Sequence, residues 1–171
     1  VALHAARREG RTRKESAMDY FRALIVDDEQ DFLETVVNRL KRRNIETTGA
    51  RNGEEAIEVM KKKTFDVVIL DIKMPGGMDG IETLREIKRI QPLAEVILLT
   101  GHASVETSIE GMKLGAFDYL IKPIKLEDLL TKMAAAFEKK NAHDQKIRAA
   151  RIKELVRVPG GALEHEKEDK K

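Results

Sequence analysis

The chain has 171 residues, of which 42% are hydrophobic and 36% charged, and it contains no cysteine. It can hold one well-cored domain with extensions but not two large ones; disulfides and thiolate metal sites are excluded, and a cytoplasmic location is compatible. The net charge of +2 hides an asymmetry: residues 1–17 carry +3, residues 18–138 carry −5 and residues 139–171 carry +4, so the body is acidic and any affinity for nucleic acid would sit at the ends.

The longest apolar runs, such as Val67 to Leu70 and Val96 to Leu99, fall far short of the roughly 18 residues that cross a bilayer. The short stretch Val1 to Ala6 is followed, not preceded, by Arg7, Arg8 and Arg11, so it does not read as a secretory signal. Met18 stands where the first domain would begin. Residues 1–17 are therefore expected to be a basic extension, disordered or not native.

From Phe21 onward, runs rich in Ile, Val and Leu alternate with segments of helical periodicity. Strands are predicted at Arg22 to Val26, Ile45 to Ala50, Val67 to Leu70, Glu95 to Leu99 and Asp118 to Ile121. Three of them are almost purely apolar, as buried parallel strands are. Between the first two, Leu33, Val36, Val37 and Leu40 mark one face of a helix. Asn52 with Glu55 three residues on resembles a capping box. Val105, Ile109 and Met112 mark a helix introduced by Ser104, and Leu126, Leu129, Leu130 and Met133 repeat the spacing in the last unit. That helix is expected to continue past Phe137, since Lys139 to Val158 has neither Pro nor Gly. Pro159-Gly160-Gly161 would end it, and Glu164 to Lys171 reads as a charged, disordered tail.

Five such units predict an α/β fold, a doubly wound, five-stranded parallel sheet covered by helices on both faces. Ligands of such sheets bind at the carboxyl ends of the strands. Polar residues stand at four of these ends: Asp27 and Asp28, Asp71, Thr100, and Lys122. Three carboxylates gathered there repel one another, and a divalent cation keeps them ionised. Oxygen-only ligation favours Mg²⁺. Asp71 can supply a nucleophilic oxygen for phosphoryl transfer, while Asp27 and Asp28 hold the metal. Lys122 can neutralise a phosphoryl oxygen and the Thr100 hydroxyl can hydrogen-bond another.

At these positions the chain resembles the receiver domain of bacterial two-component response regulators (CheY-like). The matching pieces are Val26-Asp27-Asp28-Glu29, Leu70-Asp71-Ile72-Lys73-Met74-Pro75, Leu99-Thr100-Gly101-His102-Ala103 and Asp118-Tyr119-Leu120-Ile121-Lys122-Pro123. Gly101 to Pro123 looks most like receivers attached to ATPase-type transcriptional activators. The resemblance implies a (βα)5 flavodoxin-like fold over residues 18–138; the residues themselves predict the helical extension and charged tail at 139–171. It implies that Asp71 takes phosphate from a sensor histidine kinase or phosphotransfer protein, with Mg²⁺ held by Asp28 directly, by Asp27 mainly through water, by Asp71 and by the Lys73 carbonyl. Thr100 and Tyr119 match the family's switch pair, and the Lys122-Pro123 bond is cis in the family. The implied chemistry is the domain's own phosphorylation and dephosphorylation, not turnover of a conventional enzyme's substrate.

One departure is visible, since Met74-Pro75-Gly76-Gly77-Met78-Asp79-Gly80 contains one residue more than the usual loop. It lies after Lys73, so the ligands should be intact, and two glycines can absorb it. Taken singly, Asp27 and Asp28 could be a helix-capping pair, Lys122 a surface lysine and Tyr119 plain packing; the four motifs together favour the site. His102 receives no catalytic role, and His4, His143 and His165 lack metal-ligand spacing. The remaining 33 or so residues show neither a second core nor a helix-turn-helix pattern, so a stand-alone receiver that switches binding to a downstream protein is expected. Pairing of two copies through the fourth and fifth helices stays open. The alternatives are a DNA-binding regulator using the basic segment Lys139 to Arg157, and a phosphoester hydrolase. The latter lacks the expected acid two residues after the nucleophile, where Lys73 sits.

Overall fold

The computed structural model describes residues 21–101 and 105–157. The expectations concerning residues 1–17, Met18, His102, Ser104, Pro159-Gly160-Gly161 and the tail lie outside the described residues. The elements run β1 (Arg22–Val26), α1 (Gln30–Lys41), β2 (Glu46–Ala50), α2 (Gly53–Lys62), β3 (Val67–Asp71), α3 (Gly80–Ile90), β4 (Glu95–Thr100), α4 (Val105–Lys113), β5 (Asp118–Ile121) and α5 (Leu126–Arg157). The strands form one parallel sheet in the order β2-β1-β3-β4-β5. This is the doubly wound, flavodoxin-like arrangement expected from the alternation. Boundaries differ by a residue: β2 starts at Glu46, and β3 and β4 run on through Asp71 and Thr100. The two polar residues thus belong to the strands that present them.

Because side chains alternate across a strand, each central strand feeds both faces of the sheet. Leu24, Val26, Val68, Leu70, Val96 and Leu98 pack with Ala56, Ile57 and Met60 of α2 and Leu84 and Ile87 of α3. Ala23, Ile25, Val67, Ile69, Ile97 and Leu99 pack on the opposite side with Leu33, Val36 and Leu40 of α1 and Leu129, Met133 and Ala136 of α5. Each large side chain buried this way stabilises the fold by about 1.5–3 kcal/mol. The strand ends are consequently rigid supports for whatever they carry.

The helices start for identifiable reasons. The Asn52 side chain accepts the Glu55 backbone N–H, but Glu55 reaches back to the N–H of Arg51 instead of that of Asn52. A true reciprocal capping box opens α3, with Asp79 and Glu82 bonding each other's backbone N–H. In α4 the apolar periodicity marks the helix, yet Ile109 and Met112 are exposed, while Ser108 and Gly111 are buried. A Cβ on Gly111 would stand 2.3 Å from Leu98 Cδ1, so glycine lets α4 lie close on β4.

α5 continues through Phe137 without a break and ends at Arg157. Its first half is tied to the sheet by ion pairs as well as apolar packing. Lys132 pairs with Asp118, Lys139 with Glu95 at 3.1 Å, and Lys140 with Asp66 at 2.8 Å. From Arg148 to Arg157 every side chain is exposed.

Candidate phosphoryl-acceptor site

Asp27 immediately follows β1 and Asp71 ends β3, and the two strands are hydrogen-bonded neighbours. Sheet register therefore sets the two carboxylates side by side at the carboxyl edge. With Asp28 they form a group whose ligand oxygens all lie within 4.8 Å of one another. Asp27 and Asp71 are buried, whereas Asp28 is exposed at the mouth.

The oxygens of the two buried acids are used unequally. Asp27 Oδ1 accepts the Glu29 backbone N–H at 2.9 Å, and Asp71 Oδ1 accepts the Lys73 backbone N–H at 3.0 Å. The opposite oxygens face Lys122, whose Nζ lies 2.7 Å from Asp27 Oδ2 and 3.5 Å from Asp71 Oδ2. Asp27 Oδ2 has this ion pair but no well-aligned hydrogen bond. The helix-capping alternative is thus true only of a local turn: Asp27 bonds Glu29, while α1 begins without a side-chain cap.

Burial pushes the Asp71 carboxyl up to about 6; the Lys73 N–H and Lys122 oppose that rise, and the Asp27 charge adds to it. Burial likewise raises Asp27, partly offset by Lys122 and the Glu29 N–H. Burial alone would lower Lys122, but Asp27, Glu29 and Asp71 together hold its ammonium above the usual lysine range. One ammonium thus serves a cluster with more negative charge than it can balance. A buried carboxylate oxygen with no directed hydrogen bond, and oxygens as the only donors, fit a hard divalent cation such as Mg²⁺.

The remaining strand-end residues stand where β4 and β5 deliver them. Thr100 is buried, and its hydroxyl donates to the Gly101 carbonyl at 2.9 Å. Lys122 follows β5, its backbone N–H donates to the Thr100 carbonyl at 2.8 Å, and the Lys122-Pro123 bond is cis. Tyr119 is 42% exposed and lines a pocket of about 390 Å³ with Thr100, Ser108, Ile109, Met112 and Ile121. His143 lies on the exposed face of α5, outside the acidic group.

The lengthened loop is absorbed beyond the acids. Gly76 takes φ +84°, and the Gly80 N–H donates to the Ile72 carbonyl. Glu54 of α2 accepts the Met78 N–H at 2.8 Å. A Cβ on Gly80 would lie 2.4 Å from the Ile72 Cα, so this position must be glycine for the loop to close. Lys73 keeps its backbone bond to Asp71.

Sequence reasoning passed over Glu29, quoting it only as part of a motif. Its carboxylate lies 3.0 Å from Lys122 Nζ. Glutamate is a poor N-cap, and that misfit at the start of α1 is its one faint local signal. Phe32, whose ring centroid lies 4.6 Å from Lys122 Nζ, carries no signal in the sequence beyond being apolar.

The response regulator receiver domain family matches residues 23–134. Over 126 residues the chain is 38% identical to the transcriptional regulatory protein ZraR of Escherichia coli K12, covering 74% of this chain and 27% of ZraR. The chain thus spans about a quarter of the length of the curated relatives it matches. Among solved structures, a response regulator receiver domain protein from Clostridium thermocellum is 36% identical with a TM-score of 0.68, covering 71% of this chain and 98% of that one. The receiver domain of NtrX from Brucella abortus is 32% identical with a TM-score of 0.65, covering 68% and 98%. No helix among the described residues is long and apolar enough to cross a membrane. The chain belongs to the response regulator receiver domain family and carries that family's acidic pocket in Asp27, Asp28 and Asp71, an arrangement consistent with phosphorylation-dependent signalling.

Proposed function

We propose that this chain relays a signal by accepting a phosphoryl group on Asp71 from a phosphohistidine of a sensor kinase or phosphotransfer protein, and that the modification switches its binding to a downstream protein. The observation that carries this reading is the gathering of Asp27, Asp28 and Asp71 around the Lys122 ammonium at the carboxyl edge of the sheet.

Mg²⁺ held by Asp28, by Asp27 through water, by Asp71 and by the Lys73 carbonyl would supply charge compensation for the phosphoryl oxygens. An Asp71 oxygen forms a bond to phosphorus as the P–N bond of the phosphoimidazole breaks. The imidazole nitrogen keeps the electron pair and takes up a proton. In the reverse sense of signalling, water attacks phosphorus, the acyl phosphate P–O bond breaks, and Asp71 recovers its carboxylate as inorganic phosphate leaves. Lys122 and the Thr100 hydroxyl neutralise and hydrogen-bond the phosphoryl oxygens. Drawing the hydroxyl from the Gly101 carbonyl toward the phosphoryl group would favour inward packing of the half-exposed Tyr119 ring, a shift between two populated arrangements.

Incubation with acetyl phosphate and Mg²⁺, read by intact mass, tests the acceptor. The wild type gains one phosphoryl group and Asp71→Asn gains none. A wild type that stays unmodified with both acetyl phosphate and a cognate kinase overturns the reading.

A second reading, duplex DNA binding through Lys139 to Arg157, draws on the exposed basic turns after Arg148. Against it, Lys139 and Lys140 are occupied by Glu95 and Asp66. Salt-sensitive duplex binding that survives deletion of residues 1–17 would support it.

A further inference from the structure

Glu29 is the residue at the mouth of the pocket whose use the acceptor chemistry does not explain. It stands at the N-cap of α1, just before Gln30, yet its side chain makes no cap there. Its backbone N–H donates to Asp27 Oδ1 at 2.9 Å and its carbonyl accepts the Leu33 N–H at 2.9 Å. The residue is therefore anchored at both ends, with its carboxylate free to reach Lys122, and Oε1 lies 3.0 Å from Nζ. Asp71 Oδ2 is the more distant partner of that ammonium at 3.5 Å. The Glu29 side chain is two-thirds exposed and that of Lys122 one-fifth, so the pull is directed outward, toward solvent and away from the acceptor.

We infer that Glu29 is a positioning residue which draws the Lys122 ammonium away from Asp71, slowing phosphoryl capture and leaving room for the metal between the buried acids. The inference rests on the acceptor role proposed for Asp71. The ammonium has a donor for each of the three carboxylates, but a single Nζ cannot stand at ideal distance from all of them, and it lies 2.7 Å from Asp27, 3.0 Å from Glu29 and 3.5 Å from Asp71. Releasing Glu29 lets Lys122, already 2.7 Å from Asp27 Oδ2, close on Asp71 Oδ2 as well. There it meets the incoming phosphoryl oxygens directly, but also competes with a divalent cation for the same carboxylates.

The test compares Glu29→Ala with Glu29→Asp. The second variant keeps the charge at the mouth but shortens the side chain by one methylene, out of reach of Nζ. Two quantities are measured on the full chain: the rate of phosphoryl uptake from acetyl phosphate at saturating Mg²⁺, by intact mass, and Mg²⁺ affinity by calorimetry without phosphodonor. In the uptake reaction an Asp71 oxygen bonds to phosphorus as the bond to the acetate oxygen breaks, and acetate leaves with the electron pair. Both variants are expected to take up phosphate about two- to fivefold faster, the scale of one largely exposed ion pair, and both to bind Mg²⁺ more weakly. Aspartate behaving as wild type while alanine is faster would mean that only the charge at the mouth matters, which overturns the inference. So would two variants indistinguishable from wild type. A wild type that never takes up phosphate sinks the acceptor reading instead, and the Mg²⁺ titration still judges Glu29.

Discussion

The carboxyl edge of the sheet and the inner half of α5 both place lysines among carboxylates, but their charge balances differ. Along α5, Lys132, Lys139 and Lys140 each have a carboxylate from the body: Asp118, Glu95 and Asp66. At the pocket Lys122 alone faces Asp27, Glu29 and Asp71, and burial raises both inner acids. The balanced set holds a helix in place. The unbalanced set costs stability, which is the signature of a site arranged for something it must bind.

Removing the cation from each region should separate them most widely. Lys122→Met leaves two buried acids without a counter-charge and is expected to cost about 3–5 kcal/mol in denaturant unfolding at pH 7.5 without metal. Saturating Mg²⁺ should recover much of that loss. If Lys132→Met, in a pair about one-third exposed, costs as much, the contrast between the regions fails.

Asp71→Asn should have the opposite sign. In the native state its carboxyl titrates at about 6 against an ordinary 3.8, so between these values the folded form binds a proton that the unfolded chain releases. Stability of the metal-free wild type therefore falls as pH rises through that window. The asparagine variant should match wild type near pH 4 and exceed it by up to about 3 kcal/mol at pH 7.5. Urea unfolding of both proteins at the two pH values checks it, and a gap independent of pH would contradict the assigned burial cost.

Glu95→Gln should fall in between. Glu95 is buried and accepts from Lys139, so weakening this charge-assisted bond is expected to cost about 1.5–3 kcal/mol. The smallest effect belongs to Lys132→Met, below about 1 kcal/mol. Both are read as shifts in the urea midpoint at unchanged slope.

The pocket half of this contrast was legible beforehand; the ion pairs of α5 were not. The strand ends carrying Asp27, Asp28, Asp71, Thr100 and Lys122 followed from periodicity alone, because a buried parallel strand is an apolar run and its polar successor is conspicuous. What escaped depends on contacts across the chain. Glu29 meets Lys122 ninety-three positions away, and locally only its poor fit as an N-cap sets it apart. Gln91 was equally silent: its side chain accepts the Phe65 N–H and donates to the Met60 and Lys63 carbonyls, closing the end of α2 against α3. In α4 the period was right and the direction was not evident. Ile109 and Met112 have helical spacing whichever way they face, and only the close seating of Gly111 on Leu98 turns them outward.

The central claim is that the unbalanced acids are arranged for a divalent cation that serves Asp71. Thermal unfolding at pH 7.5, with Mg²⁺ against EDTA, tests it most directly in wild type and Asp71→Asn. Wild type should gain stability with Mg²⁺, about 2.7 kcal/mol at a hundredfold excess over Kd, and the variant much less. Equal gains in the two proteins, or none in wild type, would contradict the account.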